Sequence, residues 1–390
     1  MPEYRECPTK RELNLLIFQG RSVPRVLFQP RAEPWYAWHK EFGGLPDRFR
    51  EMSLREVYDD LDLSMRYVSY YTGVPEPVRH TYTENVKVRT ERLSDGDELS
   101  ITSTPFGELV QRNRLTVDKT WRTIEFPVKS RQDLKGLKWL LERSAYTFDA
   151  ANFEEGSRFI GDRGEPQFWV PKSPYQALCQ SWMKLHDFIY ALADAPAEVE
   201  DVMEAIDRSY DALYEQLIAY GKVRILNFGE NIHDHLLSPA YFERYLIPWY
   251  DKRAGQLRAA GIFTHMHLDG YFKTLLKHLS RLPFDGLEAL TPVPQGDVTL
   301  EEIKDHIGDK VLLDGIPAVY FLPHYPLDKV AECTERVIEM FHPRLVLGIS
   351  DELPEGVDES GIEKMRWVSD YCRRAGQGSA GARSSPAQPG

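Results

Sequence analysis

From about residue 150 onward the chain alternates short apolar runs with amphipathic stretches, and this rhythm constrains the fold more than any other feature. The runs are "QFWVP" (167–171), "VRILNF" (223–228), "IFTHMHL" (262–268), "FDGLEAL" (284–290), "KVLLDGI" (310–316) and "RLVLGIS" (344–350). Each has the length of a buried strand and is rich in β-branched or aromatic residues. Helical patterns separate them. "PAEVEDVMEAIDRSYDALYEQLIAYG" puts Val199, Val202, Met203, Ile206, Tyr210, Leu213 and Leu217 on one stripe. "SPAYFERYLIPWYDKRAGQLRAAG" opens with Ser238 as cap and Pro239 in the first turn, and "TLEEIKDHIG" carries a Thr299/Glu302 capping box. Strands alternating with helices in this way imply a parallel sheet. No Gly-rich phosphate loop follows any strand, so the expectation is an α/β fold closed into a (β/α)8 TIM-type barrel rather than an open sheet.

Residues 1–150 read differently, as an N-terminal α+β extension with helices and a β-hairpin. A helix is expected around 53–72. The alternation over 84–126 suggests two strands about the turn Ser94-Asp95-Gly96-Asp97, then a further strand in "TWRTIEFPV". Ser130 caps a helix in "SRQDLKGLKWLLERSAY". The barrel is expected over 151–374 and a disordered tail over 375–390, where "AGQGSAGARSSPAQPG" is small, polar and rich in Gly and Pro.

Composition narrows the function. The chain has 390 residues, 42% hydrophobic and 28% charged, as in a soluble globular protein. Lys+Arg 48 against Asp+Glu 60 gives −12, which argues against a nucleic-acid surface. No apolar run nears the roughly 20 residues of a membrane span, and "MPEYRECPTKREL" lacks a signal-peptide core, so no membrane partner and a cytoplasmic location are expected. Cys7, Cys179, Cys333 and Cys372 show no Cys-x-x-Cys spacing. They read as free thiols, so any metal must be held mostly by His and carboxylates.

Barrel enzymes carry their reactive groups at the C-terminal ends of strands. Here those ends hold Glu230-Asn231 with His233-Asp234-His235 beyond, then His265, His267 and Asp269, then Glu288, Asp314-Gly315, and Ser350-Asp351-Glu352. His265, His267 and Asp269 alternate, so in a strand they share a face. Asp314-Gly315 reads equally as a turn, His233-Asp234-His235 as a loop before a helix, and Arg31 as a surface arginine. Carboxylates and imidazoles gathered without a cationic partner repel unless they are protonated or bind a metal.

At these residues the chain resembles the uroporphyrinogen decarboxylase superfamily, above all its corrinoid-linked methyltransferases, over roughly residues 20 to 370. "AAGIFTHMHLDGYFKTLL" is similar to the stretch in which a Gly is followed six residues on by His-x-Cys-Gly. Counting from Gly261 puts His267 on the motif's His, Asp269 on its Cys and Gly270 on its Gly. "GENIHDHLLSPAYFERYLIPWYDK" resembles the family's acidic strand end and Ser-Pro helix start, with Pro248 as the in-helix proline. "LGISDELPEGVDESGIEKMRWVSDY" resembles the last strand and helix, where the third zinc ligand, a Cys, falls on Asp351. The Arg-Gln-Ala-Gly-Arg segment of the decarboxylases is reduced here to Arg31 in "PRAEPWY", their Phe-Ser-Asp motif has no match, and their barrel Tyr falls near Gln180. Porphyrinogen decarboxylation is therefore not expected.

The resemblance implies a methyltransferase-like enzyme that moves a methyl group between a small substrate and the cobalt of a corrinoid (methylcobalamin) carried by a partner protein. Zinc or another divalent metal would be held by His267, Asp269 and Asp351, a harder set than the family's His and two Cys. Glu230, His265 and Glu352 are the expected catalytic groups, and Arg31, Asn231, His235 and Glu288 the substrate-binding ones. The alternative is a metal-dependent hydrolase or decarboxylase-like lyase on the same barrel.

Overall fold

The computed structural model describes residues 8–117, 119–234, 237–268 and 270–375. His235, Asp269, Cys7 and the tail 376–390 lie outside the described residues.

The strands are β1 (Leu27–Phe28), β2 (Val78–Tyr82), β3 (Lys87–Arg92), β4 (Glu98–Thr104), β5 (Gly107–Leu115), β6 (Trp121–Glu125), β7 (Ser144–Phe148), β8 (Trp169–Val170), β9 (Ile225–Ile232), β10 (Phe263–Leu268), β11 (Gly286–Glu288), β12 (Val311–Pro317) and β13 (Leu345–Ser350). Seven of them form one sheet in the order β1-β13-β12-β11-β10-β9-β8. Every neighbouring pair in it is parallel. All six apolar runs read from the sequence after 150 lie in this sheet. Helices pack outside it, including Pro196–Ser209, Asp211–Tyr220, Ile247–Ala259, Leu300–Ile307, Leu327–Phe341 and Glu359–Ala375.

The sheet differs from the closed eight-strand barrel expected, because β1 and β8 do not pair. Residues 64–68 run extended through the gap instead. Ser64 N–H donates to Phe28 O (2.9 Å), Gln167 N–H to Arg66 O (3.0 Å) and Val68 N–H to Gln167 O (2.9 Å), and Tyr67 forms a parallel bridge with Gln167. The result is a parallel α/β sheet of TIM type whose first strand, β1, comes from within 1–150. The helix expected over 53–72 covers only Leu54–Asp60, opened by a Ser53/Glu56 capping box. The chain then straightens, because residues 64–68 bond to β1, Arg163 and Gln167 rather than to a fourth-neighbour carbonyl.

The segment after residue 77 also corrects the hairpin reading. β3, β4, β5 and β6 form a four-stranded antiparallel sheet, since a second turn at Pro105-Phe106 divides what reads as one strand. Pro105 has no N–H for a ladder, and Gly107 takes φ 127. The long helix expected after Pro196 breaks at Tyr210. In the helix around Pro248, the turn Phe242–Leu246 widens to a π-turn, where the proline's missing N–H is accommodated.

Helix Lys10–Phe18 plugs the N-terminal end of the sheet. Its Leu13, Ile17 and Phe18 pack with Leu27, Ile225, Val311, Leu313 and Val346, the inward side chains at the strand starts. With that end filled by apolar contacts, polar groups gather at the other, C-terminal end. Among the described residues, no helix is long and apolar enough to cross a membrane.

Candidate active site at the strand ends

Alternation along β9, β10 and β11 decides which polar side chains meet. His265 and His267 share the inner face of β10, opposite the Thr264-Met266-Leu268 side; in register, His265 pairs with Asn227 and Gly286, and His267 with Glu288. Glu288 is the hub. It is fully buried and accepts from Tyr67 Oη (2.7 and 2.8 Å), Arg66 and Asn227. His265 Nδ1 lies 3.5 Å and His267 Nδ1 3.6 Å from its Oε2, and Arg31 Nε 3.8 Å from its Oε1. Burial alone would raise the Glu288 pKa, but Arg66 and Arg31 outweigh it and hold the carboxylate well below its usual range.

Two buried arginines thus supply the positive charge that sequence reasoning did not find. The expectation of an acidic cluster with no cationic partner is corrected here. Arg66 is 1% exposed and bridges Glu288 and Asp314 (Nη2–Oδ1 3.0 Å), and Gln29 Oε1 accepts from its Nε (3.0 Å). Arg31 is 4% exposed, so it is not a surface residue. Its Nε donates to Asp351 O (2.8 Å), its Nη2 pairs with the Asp351 carboxylate, and Nη1 lies 3.8 Å from Glu352. Asp314 is more than a turn residue: it reaches Arg66 and accepts from Ala289 N–H (3.2 Å), at φ 81. Burial raises its pKa despite Arg66. Gly348 makes room for it, since a Cβ there would stand 2.4 Å from Asp314 Oδ1.

His265 is fully buried, with Nε2 2.7 Å from Gln167 Oε1. Burial, reinforced by Arg66, pushes its pKa down to about 3 although Glu288 opposes this, so it is neutral. His267 stands nearer the mouth, with Nε2 3.8 Å from Asp351 Oδ1. At the rim, Tyr70 Oη donates to Glu352, and Tyr67 stacks on Trp169 with ring centroids 3.9 Å apart. The indole lies over Gly229, where a Cβ would meet its Cδ1 at 2.6 Å.

The structure therefore brings together Arg31, His265, His267, Glu288, Asp351 and Glu352 of the expected set. It does not bring Glu230 to them. Asn227 faces Glu288, so Glu230, three residues on in β9, faces outward and is fully buried. There it accepts from Ser173 N–H (2.5 Å) and Oγ (2.9 Å), and burial raises its pKa. Asn231 is exposed at the rim, its Oδ1 accepting from Lys172 Nζ (3.3 Å). Sequence reasoning missed Arg66, Tyr67, Asn227 and Gln167. The parity of Asn227 was legible; the inward path of 64–68 was not.

The implied metal can be tested against this donor set. Among the described residues no three His, Cys, Asp or Glu side chains are grouped to hold an ion. The described pair does fit one. His267 has Nδ1 3.6 Å from Glu288 Oε2, and its Nε2, on the mouth side, lies 3.8 Å from Asp351 Oδ1. A cleft of about 430 Å3 lies elsewhere, between helices Arg131–Leu141 and Pro196–Ser209, beside Phe106 and Trp139. None of the site's residues lines it, and its charged rim is already self-paired through Lys138–Asp201 and Arg131–Glu198. The strand ends remain the chemical centre.

No protein-family model matches the chain, and no curated protein matches its sequence. Among solved structures it is similar to a methyltransferase from Methanosarcina mazei, at 15% identity and TM-score 0.59, over 93% of this chain and 99% of that one. Looser overlays are with a B12-independent methionine synthase from Shewanella sp. W3-18-1 in complex with selenomethionine (13% identity, 91% and 97% coverage, TM-score 0.41) and a putative vitamin-B12 independent methionine synthase from Listeria monocytogenes (12% identity, 95% and 99% coverage, TM-score 0.35). The first likeness supports the fold alone, a TIM-type α/β scaffold across nearly the whole chain. The other two are too loose to bear on it.

Proposed function

We propose that the protein is a methyltransferase-like enzyme that moves a methyl group between a small substrate and a corrinoid carried by a separate protein. The observation that carries this reading is the approach of His267 Nε2 to Asp351 Oδ1 at the mouth, with Glu288 behind His267. His267 and Asp351, with Asp269 as the third ligand, would hold zinc or another divalent ion. Such an ion, when bound, polarises a substrate heteroatom or lowers its pKa. The remaining chemistry belongs to the chain. Glu288, kept ionised, stands behind His267 on its Nδ1 side. Neutral His265 fills the space beneath. Glu352 and Tyr70 lie where a substrate's proton would be taken up or a polar group held, and the stacked Tyr67–Trp169 pair limits water on that side.

A decarboxylase-like lyase on the same scaffold is the second reading. The buried Arg31 favours it, since its guanidinium, held by Asp351 here, could exchange that carboxylate for a substrate's. The two separate in one experiment. The purified protein, with zinc supplied, is mixed with methylcobalamin and a panel of thiol, amine and alcohol acceptors, and demethylation of the cobalt is followed by absorbance. Acceptor-dependent demethylation that falls at least about a hundredfold in His267→Ala is expected. Turnover of carboxylic acids with release of CO2, and no demethylation, would favour the lyase instead.

A further inference from the structure

The cation nearest the His267–Asp351 pair is supplied by the chain itself. Arg31 enters from just after β1, is 4% exposed, and is anchored by its Nε–H on Asp351 O (2.8 Å). Its Nη2 pairs with the Asp351 carboxylate, the group that faces His267 Nε2 at 3.8 Å. A guanidinium cannot shed its charge under physiological conditions. An ion shared by His267 and Asp351 would therefore share a carboxylate with a fixed positive charge. A second acceptor stands ready: Glu352, the next residue, lies 3.8 Å from Arg31 Nη1 and is half-exposed, so it can move. Tyr70 Oη already donates to it.

We infer that Arg31 is a built-in competitor of the metal for Asp351, and that metal binding requires its guanidinium to pass from Asp351 to Glu352. This rests on the metal-dependent reading given under Proposed function. The site then has two arrangements. Without metal, Arg31 neutralises Asp351 and the mouth holds an ion pair. With metal, Asp351 and His267 would hold the ion, and Arg31 would rest on Glu352 and Glu288, whose Oε1 is already 3.8 Å from its Nε. Asp351 is the shared element, and the backbone anchor of Arg31 lets the guanidinium pivot without leaving the mouth.

The test is zinc affinity, measured by competition with a chromophoric chelator. Arg31→Gln should bind zinc about tenfold or more tightly than the wild-type chain, because a fixed positive charge is gone. Glu352→Gln should weaken binding in the wild-type background and have less effect in the Arg31→Gln background, a non-additivity that independent sites do not show. Equal zinc affinity in wild type and Arg31→Gln overturns the inference while leaving the metal reading standing. Weaker binding by Arg31→Gln also overturns it, since Arg31 would then merely hold Asp351 in place. No zinc binding by either protein removes the metal reading, and this inference with it. A measurement on the unmodified chain guards against a variant that misfolds: the Arg31 Nε–H NMR signal should shift on adding zinc, and an unmoved signal in zinc-loaded protein contradicts the proposal.

Discussion

His265 shows how a residue inside the cluster can be chemically silent yet set the protein's acid stability. Burial holds its folded pKa at about 3, against 6.5 for an ordinary imidazole. Between those values the unfolded chain binds a proton that the folded one refuses. Stability must therefore rise with pH through this window and be lost on acidification from about 6.5 downward, by up to about 1.4 kcal/mol per pH unit. Above 6.5 the residue contributes no slope. Glu288 acts at lower pH: its depressed pKa contributes stability that is lost only below the ordinary carboxylate value of 4.5. Thermal melts between pH 7 and pH 5 should show the wild-type midpoint falling, and His265→Gln should flatten that dependence. An unchanged slope in the variant would mean that other histidines carry it. His80, His278 and His342, whose pKa values burial also lowers, are the ones to examine next. At this scale the sequence was half legible. Asp351, Glu288 and the two histidines stand at strand ends, where the alternation points. Glu230 misled because β9 continues to Ile232, which puts Glu230 on the face opposite Asn227.

Among the elements, residues 64–68 contribute most to the site for their length. The segment bonds to β1 and to Gln167, and it delivers Arg66 and Tyr67 beneath the strand ends. Its local pattern only half marks it. "LDLSMRY" does alternate, with Leu61, Leu63, Met65 and Tyr67 against Asp62, Ser64 and Arg66, but strand parity alone sends Arg66 to a polar face, and a buried arginine looks like an exposed one until its carboxylates arrive from Glu288 and Asp314, more than two hundred residues away. By contrast, six strands of the main sheet were legible because a buried parallel strand is a short apolar run with no solvent face. Replacing Arg66 by Met keeps the bulk of the side chain and removes the charge. Glu288 and Asp314 are then buried without their shared cation, so the variant should lose about 3–5 kcal/mol of stability, read by denaturant unfolding. A loss under about 1 kcal/mol would show that the carboxylates are already neutral in the folded protein. Asp314, whose pKa burial already raises, is the one to take up a proton first.

For the molecule as a whole, the scaffold and the chemistry separate cleanly. Helix Lys10–Phe18 seals one end of the sheet with apolar side chains, and the other end gathers four carboxylates, two histidines and two arginines, counting Glu288, Asp314, Asp351, Glu352, His265, His267, Arg31 and Arg66. The fold was readable from the rhythm of strands and helices; the charge balance was not, because it depends on arginines brought in from outside the strands. The most direct test is the metal content of wild-type protein and His267→Ala, purified side by side, reconstituted with excess zinc, desalted and measured by mass spectrometry. A stoichiometric zinc load in the wild type and a load reduced about tenfold or more in His267→Ala is the expected result. Equal zinc in both, or none in either, would contradict a metal at the strand ends.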